Sequence, residues 1–415
     1  MPESRDTAAT PAYVLRGTIL SDGARYTDSV VAVTGGRIGY AGPGSSFDAS
    51  RFPGARELPL PPGSSLLPGL VDLHCHGAAG GSFPSPDGLA CRAAVDFLHR
   101  NGTTTLLASL VTAPVDELLR SLGVLRALAA EGLIAGVHSE GPFLSHARCG
   151  AQDPRWLREP DPGLLRQMLA AARGTLKTMT YAPELPGAGV LVRMLTDHGV
   201  IPSLGHTDAD ARLTAASLAE AAVLVAGAAQ ARGFGPAARP TVTHLFNGMP
   251  PLHHRSPGPV AACLRLAAAG TAVVELIGDG VHLAPDTVRT VFDVVGAGNI
   301  ALVTDSMAAT GLSDGDYELG PAEVAVHNGV ATLRSNGALA GGTATLLEVV
   351  RLSIAAGIKP ADAVMAGTFV PARVLGLEAE IGSLRAGMRA DVLAVDASFN
   401  LVTVLRAGRI LDAPA

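Results

Sequence analysis

The stretch 66–82, LLPGLVDLHCHGAAGGS, decides how the rest of the chain is read. Its apolar run, Leu70, Val71 and Leu73, carries His74 and His76 one residue apart and then breaks into small residues. In a β-strand, residues i and i+2 point to the same face, so two imidazoles at this spacing converge on one point at a strand's end. Histidine is the commonest metal ligand, which makes the pair half of a metal site. The plainer alternative is two polar residues at a strand terminus. So apolar a setting speaks against it, because buried polar groups need partners.

Working outward, the middle of the chain alternates apolar strand-like runs with alanine- and leucine-rich helical segments. The expected strands are 70–74, 103–109, 135–139, 178–182, 201–205, 241–245, 272–277 and 301–304. Expected helices include 88–100, 114–131, 163–172, 187–197, 208–228 and 284–295. Eight strands separated by helices indicate a parallel sheet, and eight is the count of a closed (β/α)8 TIM-like barrel. An open doubly wound sheet is the alternative, but the GxGxxG turn it wants after the first strand is missing. Residues 12–60 and 381–411 read instead as short strands with Gly/Pro turns. The expected organisation is therefore a barrel over 67–370 and a small β-sandwich built from both termini, 1–66 and 371–415.

Composition bounds the function. With 415 residues the chain has room for one large domain and an appendage. A net charge of -6 argues against a nucleic-acid partner. No uninterrupted apolar run reaches the ~18 residues of a membrane span, and the N-terminus carries no basic-then-apolar signal pattern. The 4 cysteines, Cys75, Cys91, Cys149 and Cys263, have neither CxxC spacing nor a disulfide framework, which fits a reducing cytoplasm. The only lysines are Lys177 and Lys359.

Catalytic groups of such barrels sit at the C-terminal ends of the strands. Those ends read His74-Cys75-His76, His138-Ser139-Glu140, Ala182-Pro183-Glu184, Gly205-His206-Thr207, Thr243-His244-Leu245, Asp279-Gly280-Val281-His282 and Thr304-Asp305-Ser306. Of 12 histidines, five (74, 76, 206, 244, 282) fall at these positions. Singly, each is as well read as a structural or surface histidine; jointly they indicate a metal hydrolase site. Nitrogen and carboxylate ligands suit zinc or a similar divalent ion, which lowers the pKa of water to near neutrality. Asp305 can take the water's proton and later hand it to the leaving group; otherwise it is a helix N-cap.

These motifs resemble the amidohydrolase superfamily and, within it, the N-acetylglucosamine-6-phosphate deacetylases, over nearly the whole chain. The more specific ones are His138-Ser139-Glu140-Gly141-Pro142-Phe143, Leu204-Gly205-His206-Thr207, Thr243-His244-Leu245-Phe246-Asn247-Gly248-Met249, Asp279-Gly280-Val281-His282 and Leu302-Val303-Thr304-Asp305-Ser306. The resemblance implies removal of an acetyl group from N-acetylglucosamine 6-phosphate, in amino-sugar catabolism and cell-wall recycling. It implies a main metal held by Glu140, His206 and His244, with Asp305 as general base and acid. Because His74 and His76 are kept, a second metal on His74, His76 and Asp305 with Glu140 as bridge is expected. Zinc is the expected ion, with iron, manganese or cobalt as alternatives. Substrate contacts are expected from Asn247, Gly248, Arg255, His282 and Leu339-Ala340-Gly341, with Arg255 reaching the phosphate across a homodimer. Gln152 stands where members usually carry a substrate-contacting histidine; it can donate a hydrogen bond but cannot titrate. Cys149, in the same loop, reads as a small buried side chain or as an oxidisable lid residue. The rival substrates within the superfamily are N-acyl amino acids and isoaspartyl dipeptides; a barrel without activity is the rival from outside it. Cousins that bridge two metals with a carboxylated lysine are excluded, since Lys177 lies at the start of strand four and Lys359 far along the chain.

Overall fold

The computed structural model describes residues 11–229, 234–235 and 237–412; the outermost parts of the expected terminal segments, 1–10 and 413–415, lie outside them. Eight parallel strands form one sheet in sequential order: Leu70–Cys75, Thr103–Leu110, Gly136–Glu140, Leu176–Tyr181, Ile201–Leu204, Thr241–Val242, Val273–Leu276 and Ile300–Leu302. The expected strand positions hold to within a few residues. Every residue of the first strand is buried, as a strand covered on both faces requires. The seam between the last strand and the first is closed by the Asp305 N–H donating to the His74 carbonyl at 2.9 Å and the His76 N–H donating to Ser306 O at 2.6 Å. The result is a barrel.

Helices wrap the outside, several of them started by aspartate side chains that accept orphan amides of the first turn. Asp87 accepts from Leu89 and Ala90, Asp161 from Gly163, and Asp210 from Leu213. Ala211–Ala228 is the one described helix long and apolar enough, by length and composition, to cross a membrane. It is a barrel helix, burying Thr214, Leu218, Ala221 and Val225 and packing between its neighbours. Four helices fall outside the expected set: Gly258–Ala268, Leu346–Ala355, Pro360–Ala366 and Phe369–Val374. So does a three-stranded antiparallel sheet, Gly315–Leu319, Ala322–His327 and Val330–Leu333, inserted after the eighth strand.

Both termini join a single mixed sheet of eight strands, in which Val392–Val395 pairs with Ser65–Pro68, and that strand with Tyr13–Ser21. This is the small β-module expected from the two ends of the chain. The one sheet curls about its own core of Leu15, Val33, Ile38, Leu66, Val392 and Leu405. Its edge strand Arg37–Pro43 is covered by the segment that precedes Val392–Val395, where the Ile38 N–H donates to Met388 O at 2.9 Å and the Gly387 N–H to Ile38 O at 2.7 Å.

His99, at the end of Gly88–Arg100, is buried at 4% exposure near the terminal sheet. Burial, with the Arg406 and Arg389 guanidinium groups beside it, pushes its imidazole down to about 3. The unfolded chain binds this proton near the ordinary imidazole value of ~6.5, the folded chain only far below it. Stability from this residue is therefore full above pH ~6.5 and falls with acidification, by up to about 1.4 kcal/mol per pH unit. Chemical denaturation between pH 7 and 5 is expected to show this slope, and His99→Gln to flatten it; an unchanged slope in the variant would contradict the assignment.

Candidate active site

The strand ends bring six of the expected groups together. Glu140 Oε1 lies 2.8 Å from Nε2 of both His206 and His244, and Glu140 Oε2 lies 3.3 Å from His76 Nε2. Asp305 Oδ1 is 3.1 Å from His76 Nε2 and 3.4 Å from His74 Nε2. Two overlapping triads result, His74–His76–Glu140 and Glu140–His206–His244, each with its ligand atoms within 4.8 Å of one another. All five of these residues are buried.

Second contacts set the imidazole tautomers. His206 Nδ1 faces the Arg148 carbonyl at 2.8 Å, His76 Nδ1 the Ser109 carbonyl at 3.2 Å, and His74 Nδ1 the Glu275 carboxylate at 3.3 Å. Oxygen acceptors there require Nδ1 to carry a proton, so in the neutral ring each Nε2 turns a lone pair inward. Yet the inward nitrogens stand close, 3.0 Å between His74 and His76 and 3.1 Å between His206 and His244. Lone pairs facing at such distances need a proton or a metal between them. Burial works against protonation of His74, but the Asp305 and Glu140 carboxylates outweigh it and hold the imidazole well above its ordinary value. Burial likewise opposes charge on Glu140, and the surrounding imidazoles of His74 and His206 hold its carboxyl well below the usual range. A buried, anionic, nitrogen-rich centre of this kind fits a divalent cation.

Backbone strain marks the same residues. His206, His244 and Asp305 have φ of 47°, 26° and 49°, in a region that β-carbon sterics disfavour and functional sites tolerate. Gly248, with φ 59°, lies flat against the His206 ring: a β-carbon there would stand 2.8 Å from Nδ1. Gly248→Ala is expected to displace His206 and to cut bound metal at least about tenfold, the scale on which lost outer support acts. Metal analysis after dialysis checks this, and full metal content in a folded variant would refute it. Gly341 approaches the Asp305 backbone in the same manner, where a β-carbon would meet its carbonyl at 2.9 Å.

The remaining expected residues divide. His282 donates from Nδ1 to Asp279 at 2.8 Å and presents Nε2 4.0 Å from Asp305 Oδ2, on the same rim. Asn247 donates from its side-chain amide to the His244 carbonyl at 3.1 Å. Leu339 and Ala340 precede Gly341 in the loop beside Asp305. Gln152 is committed within the chain: its amide donates to Glu140 Oε2 at 2.6 Å while its oxygen accepts from the Thr112 N–H at 2.7 Å. It holds the shared carboxylate in place. Arg255 is not brought to the cluster; it lies in an exposed loop beside His253 and His254. Lys177 is half-buried near the N-terminal start of its strand. Cys149 is a free, partly exposed thiol in the loop over the site.

Several contributors were not among the expected residues. His138 is a satisfied core histidine between Ser109 and Thr180, at 3.0 and 2.9 Å. Glu275 orients His74 and also accepts from the His244 N–H at 3.2 Å. Asp72 joins the first strand to the eighth by accepting from Thr304 Oγ1 at 2.7 Å, and burial pushes its carboxyl up to about 7. A lone carboxylate inside an apolar strand run, as in LVDLH or AVVELI, is the signal that finds both.

Fold and site together define a metal-binding (β/α)8 hydrolase, and the chain belongs to the amidohydrolase family, whose model matches residues 65–411. Its relatives narrow this further. It is 34% identical over 380 residues to the N-acetylglucosamine-6-phosphate deacetylase of Bacillus subtilis (strain 168), covering 88% of this chain and 89% of the relative. It is 32% identical to the N-acetylgalactosamine-6-phosphate deacetylase of Escherichia coli O157:H7, covering 83% and 87%. Among solved structures, a mutant N-acetyl-D-glucosamine-6-phosphate deacetylase from Mycobacterium smegmatis in complex with N-acetyl-D-glucosamine-6-phosphate matches with a TM-score of 0.84 at 36% identity. That match covers 97% of this chain and 99% of the other.

Proposed function

We propose that this chain removes the acetyl group from N-acetylglucosamine 6-phosphate, giving glucosamine 6-phosphate and acetate. The observation that carries the reading is the pair of ligand triads sharing Glu140, with Asp305 and His282 on the same rim. Glu140, His206 and His244 would hold one ion, and His74, His76 and Asp305, with Glu140 as bridge, a second. Zinc suits these donors best, with iron, manganese or cobalt as workable substitutes. Such an ion, when bound, polarises the acetyl carbonyl and makes water acidic enough to ionise near neutral pH.

The chain's own residues do the rest. Burial works against ionisation of Asp305, but the His74 and His76 imidazoles overcome it and lower its carboxyl to about 2. It is thus a carboxylate ready to take the proton of the attacking water at Oδ2 and return it to the departing amine nitrogen. His282, fixed by Asp279, presents Nε2 to the sugar beside that oxygen. Gln152 keeps Glu140 from rotating.

We read Arg255, exposed on its loop, as serving a second copy of the chain, with a cytoplasmic homodimer as the working unit. Guanidinium matches a phosphate through its multi-donor fork. Arg255→Ala is expected to raise KM for the phosphorylated sugar at least about tenfold, from loss of charge-assisted hydrogen bonds, and to leave the unphosphorylated sugar unaffected. Equal effects on both would remove Arg255 from phosphate recognition. The reading as a whole is tested by acetate release from N-acetylglucosamine 6-phosphate, N-acetylgalactosamine 6-phosphate, N-acetylglucosamine and acylated amino acids, side by side. Preference for the acylated amino acids would replace this substrate with a carboxylate-bearing one.

A further inference from the structure

At the opposite end of the barrel, where the terminal sheet meets Gly88–Arg100, a cleft of about 680 Å³ is lined by five arginines, Arg37, Arg100, Arg389, Arg406 and Arg409, against one carboxylate, Asp96. We propose that this cleft is a second binding site, for a phosphoryl anion carried as free phosphate or as a small phosphate ester. Such a concentration of positive charge stands out on a chain whose net charge is -6. Arg37 and Arg389 stand directly opposite each other across an antiparallel bridge, a pairing that like charges disfavour. Glu380 and Asp391 offset them only one apiece.

The other three guanidinium groups have no carboxylate partner among the described residues. Arg406 donates only to backbone carbonyls, Thr104 O at 3.0 Å and Gly132 O at 2.6 Å, while Arg100 and Arg409 have no acceptor there. The second, independent sign is His99. It lines the cleft, is 4% exposed, and its Nε2 has no hydrogen-bond partner among the described residues. A buried imidazole nitrogen without a partner, in one cleft with the two uncommitted guanidinium groups of Arg100 and Arg409, is what a tetrahedral oxyanion would satisfy. The volume is that of a small-molecule site and does not suit a polymer.

The cleft is separate from the candidate active site. Arg406 and Arg389 reach Thr104 and Thr105 at the start of the second barrel strand, whereas Ser109, near its end, bonds His76. Five residues of strand put about 16 Å between them.

The test uses the full chain loaded with zinc, titrated with inorganic phosphate and separately with glycerol 3-phosphate in physiological chloride. The His99 ring resonances are followed by NMR and binding by calorimetry. We expect one of the two anions to shift the His99 resonances saturably, with a dissociation constant of about 1 mM or below. Arg100→Gln combined with Arg409→Gln should weaken that binding at least about tenfold and leave deacetylation unchanged. Both residues are exposed and make no hydrogen bonds to lose, so this variant folds. A response to phosphate alone names the free ion as occupant, and a response to the ester alone names a phosphorylated metabolite. Resonances of His99 that stay fixed with both anions, or binding equal in wild type and variant, would overturn the proposal.

Discussion

Asp305→Asn is expected to keep the ion held by Glu140, His206 and His244 and to lower kcat by about 10²–10⁴-fold, the contribution of a positioned general acid–base group. The asparagine retains the volume and one oxygen facing His74 and His76, where Asp305 Oδ1 stands 3.4 and 3.1 Å away. It cannot accept a proton. Since the loss lies in a step after binding, KM should change little while kcat falls. Metal analysis and turnover of N-acetylglucosamine 6-phosphate together check this. Turnover near the wild-type rate would remove Asp305 from proton transfer, and loss of the Glu140–His206–His244 ion would trace the lost turnover to metal depletion instead.

The second large effect concerns Glu140. Its two oxygens divide between the triads, Oε1 toward His206 and His244 and Oε2 toward His76. Glu140→Gln keeps the shape but removes the one negative charge common to both groups of histidines. Ions should leave both positions, with an affinity loss beyond the ~10–100-fold typical of outer-sphere partners, and activity should vanish with them. His74→Ala, by contrast, should cost one ion per chain and spare the other. Ion counts after dialysis in saturating zinc separate the cases. If Glu140→Gln loses a single ion, the carboxylate is not shared. One ion per chain in the wild type, with none lost in His74→Ala, would remove the second metal.

The barrel and its ligands were readable because each rests on local pattern. Hydrophobic runs of five to eight residues with polar terminators gave the strand ends, and a strand end is where a side chain changes from packing to chemistry. His74 and His76 follow from the two-residue period alone. What escaped the reading depends on partners distant in sequence. Gln152 looks like a substrate contact until Thr112 and Glu140 are seen on either side of it. The inserted sheet is a different case. Its Asn328-Gly329 turn, with both φ positive at 51° and 73°, carries a strong short-range hairpin signal, and the alternation on either side was there to be read. The joining of both chain ends in one β-module was legible because each carries short strands with Gly/Pro turns.

The seam of the barrel has a consequence for folding. His74 and Asp305 are joined through backbone at 2.9 Å, and both belong to the candidate metal cluster. Whatever ties them closes a loop of more than 200 residues, the longest-range link among the barrel strands. In the chain-entropy picture, clamping such a loop removes on the order of 5 kcal/mol of freedom from the unfolded ensemble. An ion held there by His74 and Asp305 would act as a reversible cross-link between the first strand and the last, much as a disulfide would in an oxidising compartment. Ring closure and assembly of the reactive centre would then be one event, and a chain with an unclosed barrel would lack the site with which to act.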